Sequence, residues 1–84
     1  MTTPGQLRKL IREILAMSAP YGQTERMLQD AVNTRVPGKV DLTDLREARE
    51  WNHGKEYLKS KTNEDTDEVE FFITEKGLAK EEIS

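Results

Sequence analysis

The chain has 84 residues, enough for one domain with a thin core, because a chain of this size buries only about 60–65% of its unfolded surface. It contains no cysteine, which excludes a disulfide framework and a thiolate metal site and fits a reducing compartment. Its net charge of −3 gives no bulk support to nucleic-acid binding, so any such binding needs local basic clusters.

No run approaches the roughly 20 apolar residues of a membrane span. Arg8, Lys9, Arg12 and Glu13 interrupt the amino-terminal stretch where a signal peptide needs an apolar core. The expectation is a cytoplasmic protein. The first helix enters at Thr3, with Pro4 at its first helical position. Leu7, Leu10, Ile11, Ile14 and Leu15 then recur at helical spacing, which predicts a helix to about Met17. Arg8, Lys9 and Arg12 are read as its exposed face. Ser18-Ala19-Pro20-Tyr21-Gly22 breaks it. A second helix starts near Gln23-Thr24, with Met27, Leu28, Ala31 and Val32 inward, and ends at Val36-Pro37-Gly38-Lys39. Asp41 caps a third helix, with Leu42, Leu45, Ala48 and either Trp51 or Asn52 inward. Gly54 is its expected stop, since glycine accepts the left-handed conformation.

Two strands are predicted next, over 56–61 and 68–73. Val69, Phe71 and Ile73 share one face of the second. The acidic stretch Asn63-Glu64-Asp65-Thr66-Asp67-Glu68 is the hairpin tip between them. Thr74 caps a short final helix containing Lys76, Leu78 and Ala79. Residues 81–84 read as a frayed tail. The fold class is mainly α with a small β-hairpin, in one domain over 1–84.

The carboxyl half carries the most specific pattern. "DLTDLREAREWNHGKEYLKS" is a helix running into a strand, and "FFITEKGLAK" is an aromatic strand, a capping threonine, a glycine and a terminal helix. Three helices followed by such a hairpin resemble a winged helix-turn-helix domain, over about 3–80. The resemblance implies a third helix in the major groove of double-stranded DNA, a hairpin wing on phosphate or minor groove, and no cofactor. It implies a transcriptional regulator or a mobile-element accessory factor. Other members of the family bind proteins and not DNA, and fold analogy alone does not choose between the two.

At 100° per residue the third helix turns Thr43, Arg46, Glu47, Glu50 and His53 outward, with Arg49 at the core boundary. On DNA, Arg46 reads guanine and Thr43 touches a phosphate or a thymine methyl. Glu47 and Glu50 repel phosphate, and pairing such as Arg46 with Glu50 is the plainer reading. Between Asp41 and His53 there are four acids against two arginines. Arg35 and Lys39 precede this helix, and Lys55, Lys59 and Lys61 follow it. Lys59 and Lys61 share a strand face. The candidate DNA contacts are therefore Arg35, Lys39, Thr43, Arg46, Arg49, Lys55, Lys59 and Lys61.

The acidic tip has three readings. The wing points away from DNA, the partner is not DNA, or the tip only solubilises the hairpin and blunts an edge. The tip lacks the twelve-residue calcium-loop pattern. His53 reads as a partner of the helix C-terminus rather than a catalyst. Trp51 and Tyr57 read as core or core edge. No catalytic motif is present, so an enzyme is not expected. The alternative to DNA binding is a winged helix that serves as a protein-interaction module.

Overall fold

The computed structural model describes residues 2–83. Its elements are α1 (Pro4–Ser18), β1 (Gln23–Thr24), α2 (Glu25–Arg35), α3 (Leu42–Gly54), β2 (Leu58–Thr62), β3 (Val69–Ile73) and α4 (Glu75–Ile83). The three strands form one antiparallel sheet in the order β1-β3-β2. The chain is thus a small, mainly helical domain with a three-stranded sheet.

Threonine side chains satisfy free amides at the starts of α1, α2 and α4. Thr3 and Gln6 form a reciprocal capping box at α1. The Met27 amide donates to the Thr24 hydroxyl at 3.3 Å to start α2. Asp41 sits at the N-cap of α3 without a side-chain hydrogen bond. Thr74 accepts from the Gly77 amide at 3.1 Å and opens α4, while its own hydroxyl donates to the Glu56 carbonyl at 2.6 Å.

Leu7, Ile11, Ile14 and Leu15 of α1 meet Leu28 and Val32 of α2, Leu45 and Ala48 of α3, and Leu58, Phe71 and Ile73 of the sheet. The periodicities set these faces, with two departures. Met27 stands outside, because Leu28 and Val32, four residues apart, define the buried stripe of α2. Arg12 is 6% exposed and lies inside α1's contacts rather than on a free face.

Arg12 is buried because partners meet it. Its Nε donates to Glu81 Oε1 at 2.7 Å, and its Nη1 donates to Asn52 Oδ1 at 2.9 Å. Asn52, fully buried, donates from Nδ2 to the carbonyls of Arg8 and Ala48. Of the tail expected over 81–84, residues 81–83 complete α4, with Glu81 tied to α1, and Ser84 lies outside the described residues.

The third helix stops at the expected glycine, but the left-handed residue is a different one. Gly54 is its last helical residue, and Glu56 takes the left-handed conformation with φ of 65°. The Glu56 amide donates to the His53 carbonyl, and the Tyr57 amide to the Asn52 carbonyl. These two bonds make a Schellman cap with glutamate at the position that usually holds glycine. The hairpin follows in the register Lys59↔Phe72 and Lys61↔Glu70. The strands run over 58–62 and 69–73, against the expected 56–61 and 68–73. Gly77 lets α4 reach the hairpin base: a Cβ there would overlap the Tyr57 carbonyl and sit 2.7 Å from Ile73 Cγ1.

Leu45 makes no contact with solvent. Leu45→Ala is therefore expected to cost about 2–5 kcal/mol, read as a shift of the urea midpoint. Asn52→Ala leaves Arg12 Nη1 and the Arg8 carbonyl without their partner. Its expected cost is about 1–3 kcal/mol in the same melt.

Candidate interaction surface

The surface of interest is the exposed side of α3 and the adjoining hairpin. Thr43, Glu47 and Glu50 form the outermost ridge of α3, opposite buried Leu45, Ala48 and Asn52. Arg46 and His53 border that ridge on one side, and both are exposed. Arg49 lies further round, against the sheet.

Both arginines of α3 converge on one carboxylate. Arg46 Nε donates to Glu25 Oε1 at 2.5 Å. Arg49 Nη1 lies 3.4 Å from the same oxygen, a charge contact without hydrogen-bond geometry. The Arg49 guanidinium also covers the Phe71 ring at 4.5 Å. Only 14% of the Arg49 side chain is exposed, against 54% for Arg46. The hydrogen bond from Arg46 holds the Glu25 carboxyl below its ordinary pKa, against a partial desolvation that works the other way; the charges of Arg46 and then Arg49 add to the lowering.

The remaining candidates are dispersed. Arg35 donates back to the Ala31 carbonyl of its own helix and reaches Met17 Sδ at 3.8 Å. Lys39 borders a cavity of about 510 Å³ between the starts of α1 and α3, with Arg8, Asp44 and Glu47 on its walls. Lys55 stands over the Trp51 ring at 5.6 Å, and Arg8 covers the same ring at 4.6 Å. Thr43 is exposed.

Lys59 and Lys61 belong to the face of the sheet opposite the core. Side chains alternate along a strand. Ser60 pairs with buried Phe71, so Lys59 with Phe72 and Lys61 with Glu70 project from the other face. Arg49, which packs on Phe71, lies on the core side. The sheet therefore separates the two lysines from the arginines of α3.

The outer face also holds side chains that sequence reasoning left out. Ala19, Pro20, Tyr21, Phe72, Leu78 and Lys59 line a groove of about 370 Å³. Tyr21 is 76% exposed. The outer end of the Phe72 ring packs against Gly22, where a Cβ would come within 2.6 Å of it. The signal for this groove was the Pro-Tyr-Gly turn, which reads equally well as a helix break. Only the pairing of Gln23 with Phe71 brings that turn over the sheet.

The hairpin tip is ordered by its own polar groups. The Asp65 amide donates to Asn63 Oδ1 at 2.9 Å, the Asn63 amide to the Glu68 carbonyl at 2.8 Å, and Asp67 adopts φ of 59°. Among the described residues no group of three or more histidine and acidic side chains is placed to hold a metal ion. No helix in the described residues is long and apolar enough to cross a membrane.

Comparison with family models, with curated proteins and with solved structures found no match for this chain.

The Glu25 pair has a pH signature. A carboxyl whose folded pKa is lowered stabilises the fold above its unfolded pKa and loses that contribution as pH falls through the folded value. The urea midpoint of the wild type is therefore expected to fall on acidification through and below the ordinary glutamate range. Glu25→Gln is expected to show a shallower fall over the same range.

Proposed function

We propose that this chain is a winged helix-turn-helix domain used as a protein-interaction module. The fold reading is supported by the order of three helices, a hairpin and a short terminal helix. The sheet order adds support, because β1 ties the α1–α2 connection to the hairpin and holds the wing beside the third helix.

One observation carries the choice of partner. The outer ridge of α3 reads Thr43, Glu47 and Glu50, while Arg46 and Arg49 are committed to Glu25. Duplex binding draws its affinity from cations placed on phosphates. A helix that presents carboxylates and has its arginines paired with a carboxylate of its own chain meets DNA at a loss. The acidic tip at Glu64, Asp65, Asp67 and Glu68 extends the same sign along the hairpin. The exposed groove under Tyr21 adds the apolar surface on which protein contacts are usually built.

DNA binding is the second reading, favoured by the half-exposed side chain of Arg46 and by Lys39 and Lys55 near the two ends of α3. In that reading Arg46 leaves Glu25 to read a guanine, and Lys59 and Lys61 anchor phosphates.

A fluorescence titration with random duplex DNA at low salt separates the two. The expected result is no binding at about tens of micromolar, although low salt favours the non-specific mode. Saturable binding in that range, weakened for every sequence by Lys59→Ala with Lys61→Ala, would return the domain to the DNA reading.

A further inference from the structure

The sheet has one long open edge. β1 covers only two residues of β3, and β2, with five, is the outermost strand on the other side. Every residue from Lys59 to Thr62 is exposed. The hydrogen bonds of the hairpin show which backbone groups face out. The Thr74 amide donates to the Tyr57 carbonyl and the Asn63 amide to the Glu68 carbonyl, so the pairs at 57/74 and 63/68 are hydrogen-bonded. An antiparallel ladder alternates bonded and non-bonded pairs. Lys59 and Lys61 therefore turn their backbone groups toward β3, and Ser60 and Thr62 turn theirs outward. Among the described residues no other backbone group bonds to Ser60 or Thr62 from outside the sheet.

The side chains beside this edge differ on its two faces. Lys59 and Lys61 stand on the outer face. On the inner face the edge carries Ser60 and Thr62, and Val69, 43% exposed, lies one strand further in on β3, opposite Thr62. A second copy of the chain is a poor occupant. Antiparallel pairing of two β2 edges sets lysines against lysines, and like charges directly opposite one another destabilise a sheet. The same two lysines attract a strand that carries carboxylates at every second position. The acidic tip lies beyond Thr62, so those carboxylates belong beside Lys59 and Lys61 and not further out.

We infer that β2 accepts an extended acidic segment of another protein as a fourth strand. Its alternate carboxylates face Lys59 and Lys61, and β-branched residues between them lie on the inner face beside Ser60 and Thr62. Main-chain hydrogen bonds to Ser60 and Thr62 hold the segment, and the lysines select its charge. The inference rests on the protein-interaction reading and names the chemistry of the partner.

The test uses the full chain, labelled with ¹⁵N, and a blocked peptide of sequence Glu-Val-Glu-Val-Glu. The expected result is a saturable shift of the amide signals of residues 58–62, with slowed hydrogen exchange at Ser60 and Thr62. Lys59→Glu with Lys61→Glu is expected to weaken binding about tenfold. Ser60→Pro removes an outward N–H at an edge position where proline is tolerated, and is expected to abolish binding. Thr62→Pro makes the same test at the next outward position if a melt shows Ser60→Pro to be unfolded. Folded proline variants that bind as tightly as wild type would overturn the strand geometry. No saturable shift in wild type would overturn the inference while leaving the interaction reading standing, provided random duplex also fails to bind. Duplex binding that moves the same amides would overturn both.

Discussion

The position of Arg12 is the constraint on which the rest of the structure turns. A guanidinium in the buried half of α1 keeps its charge, and a buried charge without partners costs several kcal/mol. Two partners meet it. Asn52 comes from the last turn of α3 and Glu81 from the end of α4. Asn52 then spends its own donors on the carbonyls of Arg8 and Ala48, so none of its polar atoms is left bare. One side chain thus sets how α1 crosses α3 and where α4 closes. α4 is short, and its Leu78 is exposed. Its hold on the domain comes from Glu81, from Gly77 against the Tyr57 carbonyl, and from the Thr74 cap.

The same economy governs the other cations. A domain of this size has few apolar residues to cover its aromatic rings, and guanidinium and ammonium groups cover them instead. Arg8 and Lys55 lie over Trp51, Arg12 and Lys76 over Tyr57, and Arg49 over Phe71. Arg46 is held by Glu25. The positive charge that the sequence places around α3 is largely turned to structural use. The acids have fewer such duties. Glu47 and Glu50 on α3 and the tip of the hairpin remain outward, which gives this side of the molecule the sign that DNA disfavours. That imbalance is the ground on which a protein partner is proposed, and the fold supplies only the frame.

The hairpin shows why strand parity matters as much as composition. Lys59 and Lys61 share a face, as alternation requires. That face is the one away from the core, whereas the arginines of α3 lie on the core side with Phe71. A set of basic residues that looks continuous along the chain is divided by a sheet one residue thick. β2 is also the outermost strand, so Ser60 and Thr62 form an open edge with positive charge on one face and their own hydroxyl side chains on the other.

Local chemistry was legible in the sequence. The periodicity of Leu7 to Leu15 and of Leu45 and Ala48 gave two buried stripes, Thr3 and Thr74 marked two helix starts, and the alternation of Val69, Phe71 and Ile73 marked the second hairpin strand. Each of these signals is carried within a few residues, where backbone geometry and helical or strand period act directly. The remainder came from groups far apart in the chain. Arg12 looked like an exposed charge because its partner Glu81 is 69 residues away. β1 is two residues long, too short to show a period, and exists only because Phe71 and Glu70 lie beside it. The left-handed turn falls on Glu56 and not Gly54, because Tyr57 must pair with Thr74 immediately before β2. The sequence by itself determined every element but β1, and most of the buried faces. Only tertiary structure decided which charges were spent on partners and which were left to meet another molecule, because a charge's fate depends on what the fold brings opposite it.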